Sequence, residues 1–497
     1  MTRRFQNLID GKWVDARSGK TFENRNPAHW DEVVGTFPRS GKEDVDEAVK
    51  AAKAAFEKWR LMPAPKRGDI LRRVGDLMVA RKEELARQMT REMGKVLTET
   101  RGDVQEGIDT AYYASSEGRR LFGHTVPSEL PDKFNMAMRV PIGVAGIVTP
   151  WNFPMAIPTW KIFPALLCGN TVVFKPASDT PATATSLVEI LMEAGIPEGV
   201  VNIVHGGGGD VGIAIVNHPD VDLISFTGST SVGKRISEAA ASTLKRVSLE
   251  LGGKNAQIVM DDADLDLALE GVLWGAFGTT GQRCTATSRL ILHEKVHDRF
   301  LSMLVERAGR LRLGDGLIEG VDVGPCVNEG QQKTVQEYVE VGLNEGARLV
   351  LGGKVPRTGG LEKGWFHEPT VFADVKPEHR IAREEIFGPV LSVIKIRTLD
   401  EAVTVLNNTI YGLSSSIYTA SVNNAFHAIR DIKAGITYIN APTIGAEAHM
   451  PFGGVKQTGN GHREGGWTVY DFFSEWKTVY IDYSGGLQRA QIDNYDM

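Results

Sequence analysis

Hydrophobic positions in "KEDVDEAVKAAKAAFEKWR" (42–60) fall at Val45, Ala48, Val49, Ala52, Phe56 and Trp59. Steps of three and four residues line one face of a 3.6-residue helix, so this segment predicts an amphipathic helix with one buried stripe. A second stripe, starting near Pro65, carries Ile70, Val74, Leu77 and Met78. The first third of the chain therefore reads as mostly helical.

From residue 143 the pattern changes to short, nearly continuous apolar runs: "VAGIVT" (144–149), "TVVFKP" (171–176), "VVNIVH" (200–205) and "LISFTG" (223–228). Strands covered on both faces read this way, as in a parallel sheet packed between helices. The helical stretches "TATSLVEILMEAG" and "GKRISEAAAS" between them are long enough for right-handed crossovers. The fold class expected is α/β with a doubly wound sheet. A second series, "AQIVM" (256–260), "RLILH" (289–293), "VLSVIKI" (390–396) and "AGITYIN" (434–440), predicts a further α/β domain from about Gly253. "EWKTVYIDYSGG" alternates like an edge strand.

A chain of 497 residues exceeds one ordinary core, which agrees with two or three domains. Net charge is −6 with scattered basic residues, giving no footprint for nucleic acid or an anionic membrane. Three cysteines, Cys168, Cys284 and Cys326, argue against a disulfide framework and for a reducing compartment. The eleven histidines are dispersed and no Cys/His cluster has ligand spacing, so no metal site is expected. The paired arginines of "MTRRFQNLIDGKWV" lead into no apolar segment, and no run is long enough to span a bilayer. A cytoplasmic location is the expectation.

Two glycine strings follow strands. Gly207, Gly209 and Gly212 form GxGxxG, but no acidic residue stands where a dinucleotide fingerprint needs one, and a plain strand-to-helix turn explains the string equally well. "FTGSTSVGK" opens a helix at Ser229 or Thr230, whose free N–H groups suit a pyrophosphate. The other prominent stretch is "TTGQRCTATSR". Cys284 lies there among small polar residues with Arg283 beside it, unlike Cys168 in the apolar "PALLCGN". A cysteine in a polar loop beside a cation suits a nucleophile, which must act as thiolate. No histidine is near in sequence; Glu250 in "SLELGGKN" is a candidate base.

Seven motifs now stand in order: "TPWNFP" (149–154), "FKPAS" (174–178), "FTGSTSVG" (226–233), "LELGGKN" (249–255), "GQRCT" (281–285), "EEIFGPV" (384–390) and "PFGGVKQTGNG" (451–461). Together they resemble the aldehyde dehydrogenase superfamily, and the likeness runs from "DGKWV" (10–14) to "EWKTVYI" (475–481). The resemblance implies a Rossmann-like cofactor domain (1–118 and 141–252), a catalytic domain (253–472) and a small β oligomerisation extension (119–140 and 473–497). It implies a homodimer or homotetramer using an NAD or NADP cofactor. Cys284 matches the nucleophile, Asn152 the oxyanion donor and Glu250 the base that activates water. Lys161 and Glu464 match a proton-relay pair, although "GHREGG" carries one extra residue.

For the cofactor the resemblance implies Thr149, Pro150, Trp151 and Asn152, with Lys175 and Ser178 at the adenosine ribose. It adds Gly208 and Gly212 beside the adenine, and Thr227, Gly228, Ser229, Val232 and Leu251 along the groove. Glu385 and Phe387 would face the nicotinamide end. Ser178 stands where NAD-preferring members often carry glutamate, so acceptance of NADP is expected. Arg283 resembles the anion-holding arginine of semialdehyde enzymes, which points to a short aliphatic aldehyde with a distal carboxylate. Its alternative tasks are to acidify Cys284 or to form a structural ion pair. The rival readings are a CoA-acylating dehydrogenase, which typically lacks a glutamate at the position of Glu250, and a broad-specificity aldehyde dehydrogenase.

Overall fold

The computed structural model describes residues 3–489, 491 and 492. Its first large sheet has seven strands in the order Arg246–Glu250, Leu223–Thr227, Val144–Val148, Thr171–Lys175, Val201–Ile203, Asn7–Ile9 and Lys12–Val14. The first five are parallel, and the last two add antiparallel to that edge. Numbered along the chain, the parallel strands lie 5-4-1-2-3, the doubly wound arrangement. The second large sheet also has seven strands: Arg348–Leu351, Thr370–Ala373, Val390–Ile396, Thr287–His293, Asn255–Val259, Ser414–Tyr418 and Ile436–Ile439. Each sheet has apolar cores of its own, one set built around Ile147, Phe163 and Phe174, the other around Ile258, Leu290 and Ile394.

All eight anticipated runs contain strands. The two helical stripes form Lys42–Trp59 and Ala64–Ala80, with Val45, Ala48, Val49, Ala52, Ile70, Val74 and Met78 buried and Phe56 and Leu77 only half-buried. The opening of the chain differs from its helical reading, because five short strands lie within residues 3–38. Two of them form a hairpin around Asp10 and Gly11, both with positive φ (53° and 73°); such a turn suits an Asp-Gly pair. Strands of three residues are too short for alternation to register. Ser414–Tyr418, in the body of the second sheet, was hidden by its polarity: "SSSIY" is fully buried. Ser414 donates to the Thr443 carbonyl (2.6 Å) and Ser415 to that of Ile436 (3.0 Å).

"EWKTVYI" does form a strand, Ser474–Asp482, paired antiparallel with Lys133–Pro141, which in turn pairs with His124–Pro127. Residues 490 and 493–497 of the anticipated extension lie outside the described residues. Among the described residues, no helix is long and apolar enough to cross a membrane.

Candidate active site

The strand order of the first sheet reverses between Val144–Val148 and Leu223–Thr227. Loops leaving the carboxyl ends of two such strands diverge and open a crevice between them. Thr149–Asn152 leaves one strand, and Gly228 and Ser229 leave the other. The second sheet approaches with the amino ends of its strands: Cys284 precedes Thr287–His293, and Phe387 precedes Val390–Ile396. Two cavities meet there. One, of about 280 Å³, is lined by Pro150, Trp151, Asn152, Ser229, Glu385 and Phe387. The other, of about 370 Å³, is lined by Glu99, Phe153, Trp160, Glu250, Trp274 and Arg283. Cys284, Thr227 and Leu251 line both.

The first cavity has the features a dinucleotide needs. Ser229 caps the helix Thr230–Ala241 and accepts from the Val232 N–H, so the first turn presents further N–H groups to the crevice. Trp151 and Phe387 meet edge to face at 5.4 Å. Phe387 has φ 58°, a conformation a bulky residue keeps only where surroundings enforce it. Glu385 accepts from the Gly253 N–H at 2.7 Å. A neighbouring cavity, lined by Gly208, Gly212 and Val232, continues along the same edge of the sheet.

Lys175 is 4% exposed and donates to the Pro176 carbonyl (2.7 Å), which uses one of its three donors. Burial lowers its pKa to about 8. Ser178 donates to the Gly206 carbonyl and brings no charge. These residues fit a dinucleotide: a helix start for the pyrophosphate, a buried ammonium with donors to spare, and an aromatic corner for a flat ring.

Cys284 sits in a loop fixed at several points. Thr279, Thr280 and Gly281 all have positive φ (53°, 57° and 68°). A Cβ on Gly281 would lie 2.2 Å from the Gly388 carbonyl oxygen, so only glycine lets this loop pack against the Phe387 loop. Asn255 donates to the carbonyls of Cys284 (2.8 Å) and Ala286 (2.9 Å), and Gln282 ties the loop to Pro325 and Val327. Burial, then the charges of Glu250 and Glu385, push the Cys284 thiol up to about 12.

Glu250 ends its strand 3% exposed, and neither carboxylate oxygen has a partner among the described residues. Burial, with Glu464 next, raises its pKa well above the usual carboxylate range. Gly453 is the glycine that leaves it room, since a Cβ there would come within 2.5 Å of Glu250 Oε1. Lys161 and Glu464 are brought together behind it. The Lys161 ammonium donates to Glu464 (2.6 Å) and to Ser225 Oγ (2.9 Å), all out of contact with water.

Arg283 lines the second cavity but is ion-paired: it reaches Glu99 at 3.1 Å, donates to Thr279 Oγ1 at 2.9 Å, and lies over the rings of Phe153 and Trp274. Its charge is directed at Glu99, and the neighbouring thiol is raised, not acidified. Sequence reasoning missed Asn255, Glu99, Asp103 and Glu106. Asn255 lay inside "LELGGKN". The three carboxylates occur at i, i+4 and i+7 of the helix Leu97–Glu117, a spacing that could have shown a polar face turned inward.

The family model described as "Aldehyde dehydrogenase family" matches residues 13–479. The alpha-ketoglutaric semialdehyde dehydrogenase of Bacillus subtilis (strain 168) is 43% identical, over 96% of this chain and 98% of its own. The 2,5-dioxopentanoate dehydrogenase of Saccharolobus solfataricus is also 43% identical, over 96% and 99%. Among solved structures, an NAD-dependent aldehyde dehydrogenase from Sinorhizobium meliloti superposes with a TM-score of 0.95 at 41% identity, covering 98% of this chain and 96% of that one.

Proposed function

The chain belongs to the aldehyde dehydrogenase family, and we propose that it oxidises a short aliphatic semialdehyde with a distal carboxylate to the corresponding diacid. It is an NAD(P)-dependent aldehyde dehydrogenase. The observation that carries the reading is that Cys284 lines both cavities, so one sulfur faces the aldehyde and the cofactor side together. The names of the two relatives, which denote the same C5 2-oxo semialdehyde, support the substrate class.

Glu250 first accepts the Cys284 proton; buried without a partner, it is a strong base once ionised. The sulfur attacks the carbonyl carbon, and the carbonyl electron pair moves to oxygen. Asn152 and the Cys284 backbone N–H donate to that oxyanion, and loss of one such donor typically costs about 2.7–4 kcal/mol of transition-state stabilisation. A bound nicotinamide cofactor would supply the hydride acceptor for this carbon, whose oxidation leaves a thioester on Cys284. Once the thiol proton has left Glu250, the ionised carboxylate takes a proton from water, whose oxygen attacks the thioester carbon. The C–S bond breaks, and the acid departs from a Cys284 thiolate. Glu464 accepts each proton from Glu250 and, through Lys161 held by Ser225, passes it on to bulk water, so Glu250 is ionised again before each transfer. Arg283 retains donors beyond those engaged by Glu99 and Thr279 and anchors the distal carboxylate.

For the cofactor, Lys175 and Ser178 would hold the adenosine ribose, and the neutral Ser178 would leave Lys175 able to pair with a 2′-phosphate, so NADP is accepted. Thr149, Pro150, Trp151, Gly208, Gly212, Thr227, Gly228, Ser229, Val232 and Leu251 would line its path, with Glu385 and Phe387 toward the nicotinamide end. On this reading the chain divides into a cofactor domain (1–118 and 141–252), a catalytic domain (253–472) and an oligomerisation extension (119–140 and 473–497), and the two seven-stranded sheets and the sheet of Ser474–Asp482 support it.

The test is absorbance at the reduced-nicotinamide band with 2,5-dioxopentanoate, using NAD and NADP, with and without CoA. Turnover without CoA is expected, with NADP within about tenfold of NAD in kcat/KM. Strict dependence on CoA would replace the hydrolytic reading with the acylating one.

A further inference from the structure

The mechanism leaves one carboxyl group of the substrate cavity without a task. The helix Leu97–Glu117 lines that cavity with Glu99, Gly102, Asp103 and Glu106, spaced as one helical face. Two of the three acids are matched by cations: Glu99 by Arg283 at 3.1 Å, and Asp103 by Lys95 at 2.6 Å. Glu106 is not. Its Oε1 is shut off from solvent and has no hydrogen-bond partner among the described residues. A buried polar atom left in that state is destabilising, and a ligand bonding to it offsets the cost.

Two neighbouring features show what kind of ligand. Beside Glu106 the wall is open, since a Cβ built on Gly102 meets nothing within 4 Å. The indole N–H of Trp160, in the wall of the same cavity, is also buried without a partner among the described residues, and it can only donate. Arg283, too, only donates, and Glu99 already offsets its charge. The cavity thus holds unfilled donors and lacks a full compensating positive charge.

We propose that Glu106, as a neutral carboxylic acid, donates its O–H to the distal carboxylate or 2-oxo oxygen of the substrate and, with Arg283, sets the preference for short semialdehydes. This rests on the semialdehyde reading above. Burial, then the charge of Asp103, raises the Glu106 pKa to about 8, against the opposing pull of Lys95 and Arg283. Asp109 lies on its own helix, and Cys284 and Tyr438 face it from other elements. The acid is therefore protonated at neutral pH and becomes a repelling carboxylate above about pH 8.

The experiment compares kcat and KM for 2,5-dioxopentanoate, pentanal and 4-aminobutanal in wild type, Glu106→Gln and Glu106→Leu between pH 6.5 and 9. Cofactor titration and circular dichroism check the fold of each variant. Glu106→Gln keeps a donor and should hold the preference for 2,5-dioxopentanoate over pentanal to within about threefold. Glu106→Leu should reduce it roughly tenfold or more through KM, the loss of one hydrogen bond to a charged group. KM for 2,5-dioxopentanoate should climb above about pH 8 in wild type but stay level in Glu106→Gln. A wild-type preference that neither variant alters would overturn the assignment and leave the semialdehyde reading intact. A preference for 4-aminobutanal that Glu106→Gln abolishes would overturn it too, making Glu106 a counter-charge for a cation. A wild type indifferent between 2,5-dioxopentanoate and pentanal would bring down the semialdehyde reading and this inference with it.

Discussion

At the residue scale, Glu250 carries the sharpest consequence. The proposed mechanism needs its carboxylate for water attack, but burial and the nearby Glu464 hold the group protonated well above the ordinary carboxylate range. The acid limb of the kcat profile should therefore lie above the usual glutamate pKa, as steady-state rates across pH 5–9 would reveal. Its proton linkage has the same direction: ionisation is easier in the unfolded chain, so the stability held at acid pH is lost as pH rises through the raised pKa. Replacing Glu250 with Gln should cut steady-state turnover by about a hundredfold or more, within the range for a lost general base. If Glu250 instead serves packing alone, that variant would keep its rate and change only its melting point. Arg283→Ala should cost an anionic aldehyde more than a neutral one, by roughly tenfold in kcat/KM. Equal losses would reduce Arg283 to the partner of Glu99.

The elements that position these residues were legible in the sequence to different depths. Apolar runs marked the strands buried on both faces, and Ser229 was readable as a helix start because capping chemistry is local. What escaped notice depended on contacts distant in sequence. The serines of Ser414–Tyr418 become core residues only when carbonyls near Ile436 and Thr443 accept from them. Asn255 holds the Cys284 loop across 29 residues of chain. Arg283 was visible as a charge, but its partner Glu99 lies 184 residues away. Glu92 is a similar case: its buried carboxylate accepts from the Thr183 N–H and hydroxyl, both at 2.8 Å, at the start of the helix Pro181–Glu193. Glu92→Ala should lower stability by about 2–3 kcal/mol, because buried N–H donors lose their acceptor. Thermal unfolding at pH 6 would measure it, and a melting point unchanged within a degree would contradict it.

For the whole molecule, the strand Ser474–Asp482 ends the small sheet with Trp476, Tyr480 and Ile481 exposed. An uncovered edge with apolar side chains is a pairing surface. The protein should therefore scatter light as a multiple of its 54.3 kDa chain, and Ile481→Lys should shift it toward monomer. A wild-type monomer at micromolar concentration would refute the assembly. The site itself is divided between two packed bodies. Asn152, Lys175 and Glu250 ride on one set of apolar cores, Cys284, Glu385 and Phe387 on the other, and the short link from Leu251 to Gly253 joins them. Rate is thus a finer gauge of integrity than helix content. Dilute urea that loosens the seam by an ångström would silence the enzyme while its far-ultraviolet spectrum still looks native.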